Sequence, residues 1–114
     1  MQDKWTFDND YLFDLVKSNI KHGTCCLYEN DDKMSKVGDI NIIYNSTNQE
    51  IKIKITAVRK CRFCDIDESW ATTEGEGDLS LEHWKSTHIE FFQKEKPDFK
   101  TTDMLELNEF EIVK

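Results

Sequence analysis

The sequence predicts an α+β fold: a small, curled, mainly antiparallel sheet, closing toward a barrel, with helices packed around it. Three observations carry this prediction. Isoleucines recur at every second position in "IKIKITAVRKCRF", which marks a long strand with one core face. Apolar stripes at helical spacing lie on both sides of the strand-rich middle. Gly23, Gly38, Gly75 and Gly77 each fall at an expected turn or loop. A chain of 114 residues suits one domain, taken as residues 1–114, and shows no repeat, low-complexity segment or linker.

The elements follow in order. "DNDYLFDLVKSNIKHG" predicts a helix with Asp8 or Asp10 as N-cap. Leu12, Leu15, Val16 and Ile20 form its apolar stripe, Phe13 flanks it, and Gly23 ends it. "TCCLYE" predicts a short strand, "NDDKMSK" a polar loop, and "VGDINIIYN" a strand opened by a turn at Gly38-Asp39. In the long strand Ile51, Ile53, Ile55 and Ala57 alternate with Lys52, Lys54, Thr56 and Val58, so one face is core and the other basic. "DIDESWATT" predicts a short helix that starts near Asp65 or Asp67, and an acidic glycine loop comes next. Ser80 can cap the following helix, with Leu79 and Trp84 placed for a hydrophobic staple. Leu81, Trp84, His88, Phe91 and Phe92 line one face of that helix. In "DMLELNEFEIVK", Leu105 and Leu107, then Phe110 and Ile112, predict a final strand with a bulge between the pairs.

Composition narrows the function. Hydrophobic residues make up 38% and charged residues 33%, enough for one modest core. No apolar run approaches the roughly 20 residues of a membrane span. The start "MQDKWTFDND" lacks the basic-then-apolar pattern of a signal peptide, so the expected location is cytoplasmic. The net charge is −8 and unevenly spread. Residues 38–64 carry five bases against two acids, while residues 65–114 carry 14 acids against five bases. A protein that tracks duplex nucleic acid needs a broad basic face. One short basic strip (Lys52, Lys54, Arg59) leaves room for a short single strand or a single nucleoside, and excludes extensive duplex binding.

Two groups of residues could carry chemistry. Lys21 and Thr24 frame the first helix-to-strand turn. A partly buried lysine loses proton affinity and can serve as a base, and a threonine hydroxyl becomes a nucleophile only beside such a base. On spacing alone a solvated helix-end lysine and an ordinary strand threonine are the plainer reading. Glu74, Glu76 and Asp78 form the acidic loop, and could bind a metal, orient a polar substrate or move a proton. Solvated loop acids, with Asp78 near a helix N-terminus, are the plainer reading. His88, on an apolar stripe, reads as core, and His22 and His83 as exposed. Trp5, Trp70 and Trp84 could stack on a base, though Trp84 fits a core position. "CRFC" has the spacing of half a zinc site, but adjacent Cys25 and Cys26 would point to opposite strand faces, so no metal is expected at Cys61 and Cys64. No cofactor is expected.

The segments "WTFDND", "KHGTCCLYE", "KVGD" and, above all, "EGEGDLSLEHWKSTHIEFF" resemble the ASCH domain of the PUA-like superfamily, in particular its small stand-alone bacterial subfamily. The resemblance runs from Trp5 almost to the C-terminus. It implies a PUA-like barrel and a cleft tied to RNA or modified-nucleoside chemistry. Some small members resemble amidohydrolases that remove the acetyl group of N4-acetylcytidine, and others are linked to ribonuclease activity. For the amidohydrolase type, the resemblance implies Lys21, Thr24 and Glu74 as the site, with Glu76 the neighbouring candidate. Substrate contacts would then fall to Glu76, Asp78, Lys52, Lys54 and Arg59. Two departures stand in the turn: Asn19 takes a position commonly glycine, and His22 follows the lysine. "TCCLYE" also lacks the basic residue found after the turn in other branches. The expected function is hydrolysis of an acylated nucleoside. The alternatives are a non-catalytic module for RNA or a nucleotide, and a metal-assisted ribonuclease built on Glu74, Glu76 and Asp78.

Overall fold

The computed structural model describes residues 3–7 and 9–114. Its elements are β1 (Asp3–Thr6), α1 (Asp10–Lys17), β2 (Gly23–Leu27), β3 (Ile40–Tyr44), β4 (Glu50–Arg62), α2 (Glu68–Glu74), α3 (Leu81–Glu95) and β5 (Met104–Ile112). The described strands make one curled, half-barrel sheet in the order β1-β3-β4-β5-β2. β3–β4, β4–β5 and β2–β5 pair antiparallel, and β1 lies parallel to β3. β1 has no counterpart in the sequence reading. It is four residues long with no alternation of burial, and only its pairing with a distant strand makes it one.

β4 is the spine of the sheet. Ile55 faces Phe110 while Ala57 faces Glu109, so Thr56 is an extra residue and the bulge lies in β4 rather than in β5. The sheet carries two cores, one on each face. Ile53 and Ile55, with Ile43 and Phe110, pack under Phe13 and Val16 of α1, and Ile51 is half-buried beside them. Beyond the bulge the parity switches: Ala57 leaves that face and Val58 takes its place. Leu105 and Leu107, one strand position out of phase with Phe110, face the other way. They pack with Phe63, Trp70, Trp84, Phe92 and Phe99 beneath α2 and α3.

α1 is shorter than its pattern. Asn9 caps it by accepting from the Leu12 N–H at 3.1 Å, and Asp8 lies outside the described residues. The helix stops at Lys17, Asn19 takes φ 62°, and Ile20 is exposed rather than part of the stripe. An asparagine tolerates this left-handed backbone better than most residues, so Asn19 serves where glycine would. Gly23 opens β2 instead of ending a helix. A Cβ there would meet Thr73 Cγ2 at 2.8 Å and Trp70 Cη2 at 2.9 Å, so the glycine lets α2 approach the strand.

Asp67 caps α2 through the Trp70 N–H, and Ser80 caps α3 through the His83 N–H. The staple does not form as expected: Leu79 has φ 68° and is exposed, while Trp84 packs against Phe63. Among the described residues, no helix is long and apolar enough to cross a membrane.

Candidate functional site

The turn after α1 folds back on itself, with the N–H groups of Ile20 and Lys21 both donating to the Leu15 carbonyl. The next residue is held from two sides: the His22 N–H donates to Thr73 O at 2.8 Å, and the His22 carbonyl accepts from the Phe110 N–H at 3.0 Å. This tether ties the turn to α2 and β5, and it carries Lys21 into the interior. Glu74 is the last residue of α2, not a loop residue, and is 1% exposed.

Lys21 Nζ donates to Glu74 Oε1 at 3.1 Å, Glu76 Oε2 at 3.0 Å and the Glu74 carbonyl at 3.3 Å. An ammonium has three N–H donors, so all three are used. Glu74 Oε2 accepts from the indole N–H groups of Trp70 and Trp84, both at 2.7 Å. His88 Nδ1 donates to the Trp84 carbonyl at 2.8 Å. Its other nitrogen, Nε2, therefore faces Glu74 Oε1 at 3.6 Å and Glu76 Oε2 at 3.9 Å.

These contacts set the charges. Burial pushes Lys21 down and is the largest single influence, but Glu74 and Glu76 together outweigh it and hold the lysine above its ordinary value. The expectation that burial would leave Lys21 partly neutral is thereby corrected. Burial likewise opposes ionisation of Glu74, yet Lys21, His88 and Trp84 hold it well below the usual carboxylate range. His88 is raised: burial works against its proton, and the hydrogen bond to and charge of Glu74 prevail. The resting site is thus a buried ammonium between two carboxylates.

Lys21, Thr24, Glu74 and Glu76 line one cavity of about 340 Å³, walled by Phe7, Tyr11, Leu12 and Phe91. This size falls at the lower end of the ordinary range for small-molecule sites. A larger groove, about 660 Å³, lies along α3 near Phe63, Leu81 and Ile89, away from the buried charges. Asp78 does not reach the smaller cavity; it is exposed and accepts from the Ser80 N–H. Lys52 and Lys54 are exposed on β4, and Arg59 lies with its guanidinium 5.6 Å from the Trp70 ring; none of the three lines the cavity.

The sequence reading missed His88, His83 and Cys25 as cavity residues. Trp70 and Trp84 are buried as donors to Glu74 and are not stacking platforms. The spacings Trp70–Glu74 and Trp84–His88, one helical turn each, were the available signal. Cys25, Glu74 and His88 offer ligand atoms within 4.8 Å of one another. Their chemistry is a poor fit to a metal: Glu74 already accepts from Lys21 and two indoles. The Cys25 thiol is also pushed well up, by burial first and then by Glu74. No group of three ligands among the described residues combines Glu74, Glu76 and Asp78, or includes Cys61 or Cys64.

Comparison with known proteins adds a family. The family model for the ASCH domain matches residues 3–114. An ASCH domain from Lactobacillus crispatus JV V101 superposes with a TM-score of 0.86 at 27% identity, over 96% of this chain and 79% of that one. A protein from Enterococcus faecalis V583 superposes with a TM-score of 0.84 at 29% identity, over 99% and 80%. A Pyrococcus furiosus protein, at 20% identity and a TM-score of 0.60 over 100% and 99%, shares the fold. No curated protein matches the chain.

Proposed function

The chain belongs to the ASCH domain family, a PUA-related group, and on that premise we propose that it hydrolyses the amide of an acylated nucleoside of the N4-acetylcytidine type. One observation carries the reading. A lysine and a glutamate, both at least 98% buried, are ion-paired on the wall of a cavity that also holds a threonine hydroxyl. Such a pair is a weak source of stability, because desolvation offsets much of its attraction. Perturbed, buried charges at a cavity are what reaction sites need.

The charge states redistribute the expected roles. Thr24 Oγ1 forms the bond to the acyl carbon and gives its proton to Glu76, the carboxylate not clamped by indoles. The C–N bond breaks, and the leaving amine takes a proton from the Lys21 ammonium. Glu76 returns its proton to Lys21 across 3.0 Å. Water then cleaves the threonine ester through the same groups, releasing the acid. Glu74, held by two tryptophans, orients Lys21. A neutral nucleoside needs no basic funnel, which agrees with the acidic chain. Four free thiols suit the reducing cytoplasm, the location we propose.

The test is release of cytidine from N4-acetylcytidine. Thr24→Val removes the nucleophile, and Lys21→Arg keeps the charge but cannot give up a proton. Each should slow hydrolysis roughly 100-fold or more while leaving the fold intact. Activity that survives both substitutions rejects the mechanism. Binding of a nucleoside or short single-stranded RNA without turnover would favour the module reading, for which exposed Lys52, Lys54 and Arg59 offer phosphate contacts.

A further inference from the structure

A second cavity of about 310 Å³ shares the Thr24–Cys25 wall with the first. Lys33 and Ser35 line it from the segment between β2 and β3, and its buried polar groups come from the sheet: Asn41 of β3, and Glu106 and Asn108 of β5. These three are buried, at 8%, 6% and 6% exposure. Thr24 pairs with Asn108 across the β2–β5 ladder and Cys26 with Glu106, so the Thr24 side chain shares a sheet face with both polar residues.

Hydrogen bonding fixes what each group presents. Asn108 Nδ2 donates to Glu106 Oε2 at 3.0 Å, and Oε2 also accepts from the Ser35 N–H. A carboxylate only accepts, so the Asn108 amide nitrogen must face it. Asn108 Oδ1 is then left over. Among the described residues it is the one buried side-chain polar atom with no hydrogen-bond partner. An indole N–H only donates, so Trp5 Nε1, at 3.1 Å, fixes Asn41 Oδ1 as acceptor and leaves Asn41 Nδ2 to donate. The buried groups thus offer a bare carbonyl oxygen, a carboxylate and one amide donor. A buried acceptor without a donor is costly, and at a cavity wall it calls for a ligand bearing donors.

Resting on the acyl-nucleoside reading above, we propose that this cavity is the ribose subsite of that same site, with Asn108 and Glu106 accepting from the 2′- and 3′-hydroxyls. Two adjacent hydroxyls supply two donors to two acceptors, and a carboxylate is a common partner of ribose hydroxyls. The acyl amide would then lie beside Thr24, which lines both cavities. A phosphate on either hydroxyl would set an anion against Glu106, and Lys33 at the same cavity is already paired with Glu29 at 2.7 Å. The site therefore prefers a free ribonucleoside to deoxynucleosides, 3′-phosphates and nucleotides within an RNA chain.

The experiment compares N4-acetylcytidine with its 2′-deoxy and 3′-phosphate forms on the wild-type protein. KM should rise roughly 10-fold or more for each, with kcat changed far less. Glu106→Gln and the similarly sized Asn108→Leu should raise KM for the ribonucleoside and shrink its advantage over the deoxynucleoside. Equal KM values for ribo- and deoxynucleoside in active wild type overturn the subsite and leave the acyl-transfer reading standing. If wild type hydrolyses none of the three, the acyl-transfer reading fails, and calorimetric binding of cytidine against 2′-deoxycytidine decides the subsite. Preference for cytidine supports it; equal binding or none overturns it.

Discussion

At Lys21 burial and charge pull in opposite directions, and two carboxylates decide the outcome. The same balance makes Glu74 and His88 reporters of folding. Glu74 is held well below its ordinary 4.5 in the folded protein, so its contribution is present above that value and is lost as pH falls through the acid range. His88 is raised above its ordinary 6.5, so its contribution is present below that value and is lost as pH climbs through the folded-state value. Urea midpoints measured from about pH 3 to pH 9 should therefore decline on both sides. Glu74→Gln should lower stability by about 3–5 kcal/mol near neutrality, because Lys21 loses its most buried partner, and should flatten the acid limb. An acid limb as steep in the variant as in wild type would remove Glu74 as its source.

Between elements, the critical contact is the turn after α1 against the end of α2. Gly75 lies between the two carboxylates that hold Lys21, has φ 72°, and a Cβ there would meet the Ile20 carbonyl oxygen at 2.6 Å. Ile20 immediately precedes Lys21, so Gly75→Ala pushes apart the two segments that build the site. Gly38 also has positive φ, at 96°, but its Cβ would meet nothing within 4 Å. Gly38→Ala should cost about 1 kcal/mol from backbone conformation alone. Gly75→Ala should cost clearly more, about 2–4 kcal/mol, since strain and a backbone clash act together. Thermal denaturation of the two variants side by side checks the ranking. Equal losses would mean the contact at Ile20 relaxes freely.

On the scale of the molecule, the charge distribution governs what can approach. The exposed Lys52, Lys54 and Arg59 lie on β4, while Lys60 is engaged with Asp31 at 3.2 Å. With a net charge of −8 and a basic strip confined to β4, any RNA binding should depend weakly on salt. The slope of log affinity against log salt should be about −3 or shallower. Titrations at several salt concentrations measure it, and a slope typical of a strong backbone binder would show a basic surface that this arrangement lacks.

The isoleucine row of β4, the Ser80 cap and the aromatic stripe of α3 were legible in the chain itself, because periodicity and capping are local properties. Lys21, Thr24 and Glu74 could be picked out by motif resemblance, and they line one cavity. Their chemistry could not be read the same way. Lys21 meets Glu74 and Glu76 across more than 50 residues of chain, and the proton it keeps depends on that meeting. The cage around Glu74 joins indoles from two helices. Asn41, Glu106 and Asn108 read as ordinary strand positions until the register set them on one wall. The core expected as one divides between the two sheet faces, and β1 became a strand only by lying beside β3. Sequence alone determined most of the elements and nominated the residues. Tertiary structure alone decided their charge states and partners, because desolvation and Coulomb terms depend on which distant groups the fold brings within a few ångströms.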